Sequence, residues 1–334
     1  MVSVTLTNLM GRRPGSLRRS PGARAEWREQ IDDAVIRLSL PFQHGFVNSY
    51  LILGTDGPCL IDTGPASSLE SSQLVAHLAA LGMGIEDVRA ILLTHSHQDH
   101  VGMAAQIARA SGATVLIHHL EMAGDSTFAS VQPPQSWLRE LGLPPTAPTT
   151  SREASEVPPH IQLVGGGETI TFGPLQLELH WTPGHSPGLI CAFERERGLL
   201  FSTDHLLRAS TPLAIRQRVG ADPVQEYMAS LEVIQRLPAR RVLPGHGRSF
   251  PDLEAAIADA RRAQLQWLEA IWAAVPADGA EAPTIAERMT WLAARQPADV
   301  WLAIARAAAY LLHLEVRGRL RHEAGPPVRF FRAV

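Results

Sequence analysis

The chain contains no lysine, and all 30 of its basic residues are arginine. Against 33 acidic residues they leave a formal net charge of −3, so no overall positive field draws the chain onto nucleic acid. With abundant alanine, proline and glycine, the missing lysine reflects a GC-rich coding bias and carries no functional signal. Cysteine is scarce as well. Cys59 and Cys191 both sit in apolar, strand-like runs, which predicts two buried thiols, no disulfide framework and a reducing, cytoplasmic compartment. No apolar run approaches the length of a membrane span, so no membrane partner is expected. The opening stretch, MVSVTLTNLMGRRPGSLRRSPGAR, lacks the long apolar core of a secretory signal and reads as a loose or partner-contacting tail.

What is present is ordinary in bulk: 334 residues, 45% hydrophobic and 19% charged, enough for one large domain and a small one. Short strands dominate from about residue 35, in VIRLSLPF, FVNSYLILG and PCLIDTG, with a hairpin-type turn at Asp56-Gly57. Helical periodicity covers 68–82, then strand AILLT, a helix over roughly 101–111 and strand TVLIH. Residues 119–160 are rich in Pro, Ser and Thr, the composition of a lid or a pinned excursion, with Met122, Phe128, Val131 and Trp137 scattered through it. Strands resume with ETITF, LQLELHWT, LICAFE and LLFST, followed by a helix over 223–236 and strand RRVL. The tail from 251 is helical, with helices near 284–291 and 298–317 and a terminal hairpin around a Gly-Pro turn. That order matches a winged-helix module. The predicted division is an N-terminal extension at 1–33, a catalytic domain at 34–260 and a C-terminal domain at 261–334.

One stretch stands out against this background. LLTHSHQDHVG places His95, His97, Asp99 and His100 directly after an apolar strand. Three further strand-end segments carry chemistry: TPGHSPG with His185, STDHLL with Asp204, and LPGHG with His246. A lone loop histidine is more often solvated than a ligand. Five histidines and two aspartates on four such loops are another matter. Imidazole and carboxylate suit zinc, iron or manganese, and a donor set without thiolate fits a catalytic rather than a structural site. One ion can take His95, His97 and His185, and a second Asp99, His100 and His246. Asp204 is then the natural bridge, since one carboxylate has two oxygens to share.

In their order, DTG, THSHQDH, TPGH, TDH and PGHG resemble the metallo-β-lactamase superfamily over about residues 35–250. The resemblance implies an α/β fold, a four-layer αββα sandwich with a dinuclear site at one edge, here followed by a small helical, winged-helix-like C-terminal domain. It carries over the seven metal ligands assigned above and makes Asp62, in DTG, a residue that orients the cluster. The expected cofactors are two divalent ions, zinc first, with iron or manganese as alternatives. A hydroxide shared between them would attack a carbonyl carbon or a phosphorus. Asp204 as the bridge and Asp99 beside the leaving group are the predicted catalytic side chains.

Asp204 stands where true β-lactamases carry Cys or Ser, which points to the glyoxalase II, lactonase and nuclease branches. His97 stands where diiron flavoprotein oxidoreductases carry glutamate, which argues against redox chemistry. The stretch after Asp204 and the tail resemble the lactamase-beta-like, hydroxyacylglutathione-hydrolase-like branch, one animal member of which is an endoribonuclease. The favoured expectation is hydrolysis of a thioester, ester or lactone of a small molecule. The alternative is a metal-dependent endoribonuclease whose tail grips RNA through Arg317, Arg319, Arg321, Arg329 and Arg332, with Glu315 and Glu323 diluting that charge. β-Lactamase activity is a minor third reading. Tyr227 and Tyr310, the tyrosines beyond the cluster, fall in no glutathione-pocket pattern, and a homodimer is left open.

Overall fold

Along the central strands the apolar side chains face alternately to two sides, and both sides are buried, which forces four layers. The computed structural model describes residues 27–42, 45–69, 71–122, 128, 135–141, 156–208, 220–289, 297–325 and 327–333. The first sheet holds β1 (Arg28–Gln30), β2 (Val35–Phe42), β3 (Gly45–Ile52), β4 (Cys59–Ile61), β5 (Ala90–Leu92), β6 (Thr114–His118) and β7 (Ile161–Val164) in sequential order. It runs antiparallel up to β4 and parallel from β4 to β7. Helices α1 (Gln73–Ala79), α2 (Gln98–Val101), α3 (Ala104–Ser111) and α4 (Gln135–Glu140) lie between these strands in sequence. The second sheet is ordered β12-β11-β10-β9-β8, from β8 (Thr169–Phe172), β9 (Leu175–Trp181), β10 (Ile190–Glu194), β11 (Leu199–Thr203) and β12 (Arg241–Pro244).

Three apolar clusters fill the spaces between layers. Ile36, Val47, Leu51, Leu60, Ile91 and Val115 pack outward from the first sheet against Leu74, Leu78, Ala104 and Ile107 of α1 and α3. Their neighbours Tyr50, Ile52, Ile61, Leu92 and Leu116 face inward and meet Leu177, Leu179, Ile190, Ala192, Leu199 and Phe201 of the second sheet. Cys191, Phe193, Leu200 and Val242 then point outward to α5 (Pro223–Gln235) and α6 (Leu253–Ala274). This is the expected αββα sandwich. The central strands are covered on both faces, which is why β4, β5, β10 and β11 read as nearly continuous apolar runs.

The last part of the chain comprises α7 (Ala282–Arg288), α8 (Pro297–Val316), β13 (Leu320–Glu323) and β14 (Arg329–Arg332), the last two paired as an antiparallel hairpin. It buries a fourth cluster, including Ile285, Trp301, Tyr310, Leu314 and Phe330, that also takes in Leu141 and Val224. α6 runs unbroken through residue 260. Its first half packs on the sandwich through Leu253, Ile257 and Ala260, and its second half on the tail through Leu268 and Ile271.

Two helices differ from expectation. The pattern over 68–82 yields only Gln73–Ala79, because Ser72 caps the first turn by accepting from Val75 N, and Leu69 stays outside and exposed. The helix expected over 101–111 starts earlier, as α2, and breaks before α3. Cys59 and Cys191 are buried free thiols, as expected. In the 119–160 excursion, Met122 and Phe128 bridge to each other and pack on the outer core, so these two pin the segment; Val131 and the Trp137 side chain lie outside the described residues.

Phe201 is buried between the sheets, its ring 5.3 Å from that of Tyr50 in an edge-on arrangement. Phe201→Ala is expected to lower unfolding stability by about 3–5 kcal/mol, whereas Val316→Ala at an exposed position should change it by less than about 0.5 kcal/mol; denaturant melts check both.

Candidate metal centre

Parallel pairing delivers the site. β4, β5, β11 and β12 all end at one edge of the sandwich, and their last residues lead directly to Asp62, the His95–His100 cluster, Asp204 and His246. His185 follows β9 at the same edge. The seven predicted ligands fall into two groups, His95, His97, His185 and Asp204, and Asp99, His100 and His246. Within each group the ligand atoms lie within 4.8 Å of one another. Asp204 Oδ2 lies 3.5 Å from His185 Nε2 in one group, and 3.6 and 3.3 Å from the Nε2 atoms of His100 and His246 in the other. Asp99 Oδ2 is 3.4 Å from His246 Nε2. Gly245 makes room for this: a Cβ there would stand 2.1 Å from Asp204 Oδ1.

Hydrogen bonds behind the cluster decide which nitrogen three of the five imidazoles present. Asp62 Oδ1 accepts from Thr94 N, and its Oδ2 accepts from Thr94 Oγ1 and from His100 Nδ1 at 2.7 Å. Thr94 spends its only hydroxyl proton on Asp62. Its oxygen therefore accepts from Thr203 Oγ1 at 2.8 Å and from His95 Nδ1 at 3.1 Å. His246 Nδ1 donates to Phe46 O at 2.8 Å. In all three rings Nε2 is left for the cluster. Asp62, expected to orient the cluster, does so through His100 and Thr94. Asp62 and Thr203 both have positive φ, 59° and 45°, and for a β-branched threonine that is strained backbone, concentrated here beside the site.

A second set of contacts holds the His246 loop. Asn48 N donates to Gly245 O, its Nδ2 donates to Pro244 O and Gly247 O, and Tyr50 Oη donates to Pro244 O at 2.7 Å. Arg37, buried and paired with Glu29, donates to Asn48 Oδ1. Sequence reasoning did not pick out Asn48, Thr94 or Thr203. The available signals were the Asn-Ser pair inside an apolar strand and the threonines immediately before His95 and Asp204.

Burial drives His95 well below the usual histidine range, assisted by the neighbouring imidazoles, and takes His97 to about 3 and His185 downward. These three are neutral at pH 7, the form that binds metal. Burial opposes charge on His246 and His100 as well. There the carboxylates win: Asp204 and Asp99 raise His246 to about 10, and Asp204, Asp62 and Asp99 raise His100 well above its ordinary value. Asp99 falls to about 2 and Asp204 well below the carboxylate range, burial being outweighed chiefly by His100 and His246.

Residues of this kind fit divalent cations. Nε2 of His95 and His97 and Oδ1 of Asp204 are buried and have no hydrogen-bond partner, a costly arrangement unless something positive sits among them. The donors are all nitrogen or oxygen.

Residues 43–246 match the metallo-beta-lactamase superfamily model, and the chain belongs to that family. It is 32% identical over 232 residues to the hydroxyacylglutathione hydrolase of Anaeromyxobacter dehalogenans (strain 2CP-C), covering 68% of this chain and 73% of that protein. It is 30% identical over 215 residues to the acyl-coenzyme A thioesterase MBLAC2 of Bos taurus, covering 61% of this chain and 74% of that protein. A solved metallo-beta-lactamase family protein from Thermus thermophilus superposes with a TM-score of 0.78 at 26% identity, over 90% of this chain and 99% of that one. The protein is a metal-dependent hydrolase of this superfamily. Among the described residues no helix is long and apolar enough to cross a membrane.

His246 and His100 hold protons in the cation-free protein at pH 7, and a metal needs them neutral. Metal uptake at that pH is therefore expected to release protons, and apparent affinity to rise with pH, both checked by calorimetry in buffers of different ionisation enthalpy. Asp62→Ala strips an acceptor from three buried donors and is expected to cost roughly 3 kcal/mol of stability by denaturant melt.

Proposed function

We propose that the seven residues hold two divalent cations, zinc by first choice and iron or manganese as alternatives, and that the protein hydrolyses an acyl-type bond in a small molecule, a thioester before an ester or lactone. The observation that carries this reading is the position of Asp204 Oδ2, 3.3–3.6 Å from imidazole nitrogens of both groups, where one carboxylate serves two ions. His95, His97 and His185 would hold one ion, and Asp99, His100 and His246 the other. A cation pair there supplies Lewis acidity toward a carbonyl oxygen and lowers the pKa of water. The chain supplies the rest. Asp62, Thr94 and Phe46 O fix the ring orientations, so the acceptor nitrogens need no rearrangement when the site fills. Asp99, its side chain 14% exposed, is the more open of the two carboxylates, and with its pKa near 2 it accepts hydrogen bonds and orients an O–H at the mouth of the site.

The thioester preference is supported by the relatives named as an acyl-coenzyme A thioesterase and a hydroxyacylglutathione hydrolase. The endoribonuclease reading needs arginines free for phosphate. Arg319 instead pairs with Glu269 through two bonds and stacks on Trp272; Arg321 pairs with Glu323. Arg317 binds Gln225, Arg329 the carbonyls of Asp278 and Gly279, and Arg332 that of Ala273. All five predicted RNA-gripping guanidinia thus have a partner on the chain's own surface, and Arg319 and Arg332 also stack on Trp272, which favours a packing role for residues 261–334, read as a winged-helix-like module behind a catalytic domain at 34–260.

A side-by-side panel of acyl-coenzyme A, acylglutathione, lactone, β-lactam and RNA substrates with zinc-loaded protein tests the reading. Thioester cleavage without RNA cleavage is expected; RNA cleavage without thioester cleavage would overturn it. Asp204→Ala should reduce hydrolysis by more than roughly 100-fold and lower bound metal by at least one ion per chain on elemental analysis.

A further inference from the structure

Glu121 lies outside all the motifs above and is fully buried. It closes the single 3₁₀ turn His119–Glu121 after β6, a turn held by His118 Nδ1 accepting from Leu120 N. Each oxygen of its carboxylate receives two donors. Oε2 accepts from Ser96 N at 2.8 Å and Ser96 Oγ at 2.6 Å; Oε1 accepts from Gly188 N at 2.6 Å and Ser186 Oγ at 2.7 Å. An ionised carboxylate has about four lone-pair sites, and all are filled. Among the described residues no guanidinium pairs with it, so these four bonds must offset the cost of burying its charge.

The donors are what give the contact meaning. Ser96 stands between His95 and His97, and Ser186 directly follows His185. One side chain therefore ties together the two loops that carry all three histidines of the first ligand group. Gly188 permits the approach, since a Cβ there would stand 2.8 Å from Glu121 Cγ.

We infer that Glu121 is a positioning residue for the three-histidine ligand group, holding the His95–His97 and His185 loops at the separation that a shared cation requires. It touches neither the cluster nor the reacting atoms and acts only through Ser96, Ser186 and Gly188. The inference rests on the metal reading above.

Replacing the carboxylate by an amide keeps the shape and turns two of the four acceptor sites into donors facing donors. Glu121→Gln is expected to weaken one zinc equivalent by roughly 10–100-fold in a chelator competition, and to change the visible spectrum of the cobalt-substituted protein. Ile285→Ala, destabilising but buried in the separate C-terminal cluster, should keep wild-type zinc affinity and spectrum. Should Glu121→Gln not fold, Ser186→Ala and Ser96→Ala each remove one of the four bonds and should weaken zinc several-fold. Wild-type affinity and spectrum in folded Glu121→Gln, or in both serine variants, would overturn the inference while leaving the metal reading standing. A wild-type protein that takes up no zinc overturns both.

Discussion

Seven nitrogen- and oxygen-bearing side chains converge on one edge of the sandwich, and three imidazoles crowd the carboxylate of Asp204. Its Oδ2 sits 3.3–3.6 Å from three imidazoles, and its Oδ1 is buried without a hydrogen-bond partner. Much of what surrounds the site follows from satisfying that crowd. Asp62 and Thr94 take the back nitrogens of His100 and His95, Phe46 O takes that of His246, and backbone strain at Asp62 and Thr203 is tolerated in return for the placement.

The fold's contribution is geometric. Parallel neighbours β4–β5 and β11–β12 bring their carboxyl ends to a common edge, so residues far apart in sequence arrive together. The two sheets are held by a continuous inner core, and further polar contacts, from Asn48 and Tyr50 to the Pro244–Gly247 loop, lock the second sheet to the first beside His246. Those contacts hold candidate ligands from the two sheets at one edge.

Much of this was legible in the sequence, and the reasons are specific. VIRLSLPF is β2 residue for residue, because a strand buried on both faces must be apolar at nearly every position. The candidate ligands stood out because polar residues after an apolar strand are anomalous, and four such anomalies in one chain are mutually reinforcing. Glu121 was not legible. It is one glutamate at the start of an irregular excursion, and its meaning lies in contacts to residues 25, 65 and 67 positions away. Asn48 was hidden for the same reason. Helix ends were less legible: the pattern over 68–82 overran the Ser72 cap, because one serine among Ser67, Ser68, Ser71 and Ser72 does not announce itself.

The most direct measurement is anomalous X-ray scattering from crystals of the zinc-loaded protein, collected above and below the zinc edge. The account requires two peaks, one among His95, His97 and His185 and one among Asp99, His100 and His246, with the Asp204 carboxylate reaching both. No anomalous peak within the cluster, or a single peak that leaves one group empty at saturating zinc, would contradict it.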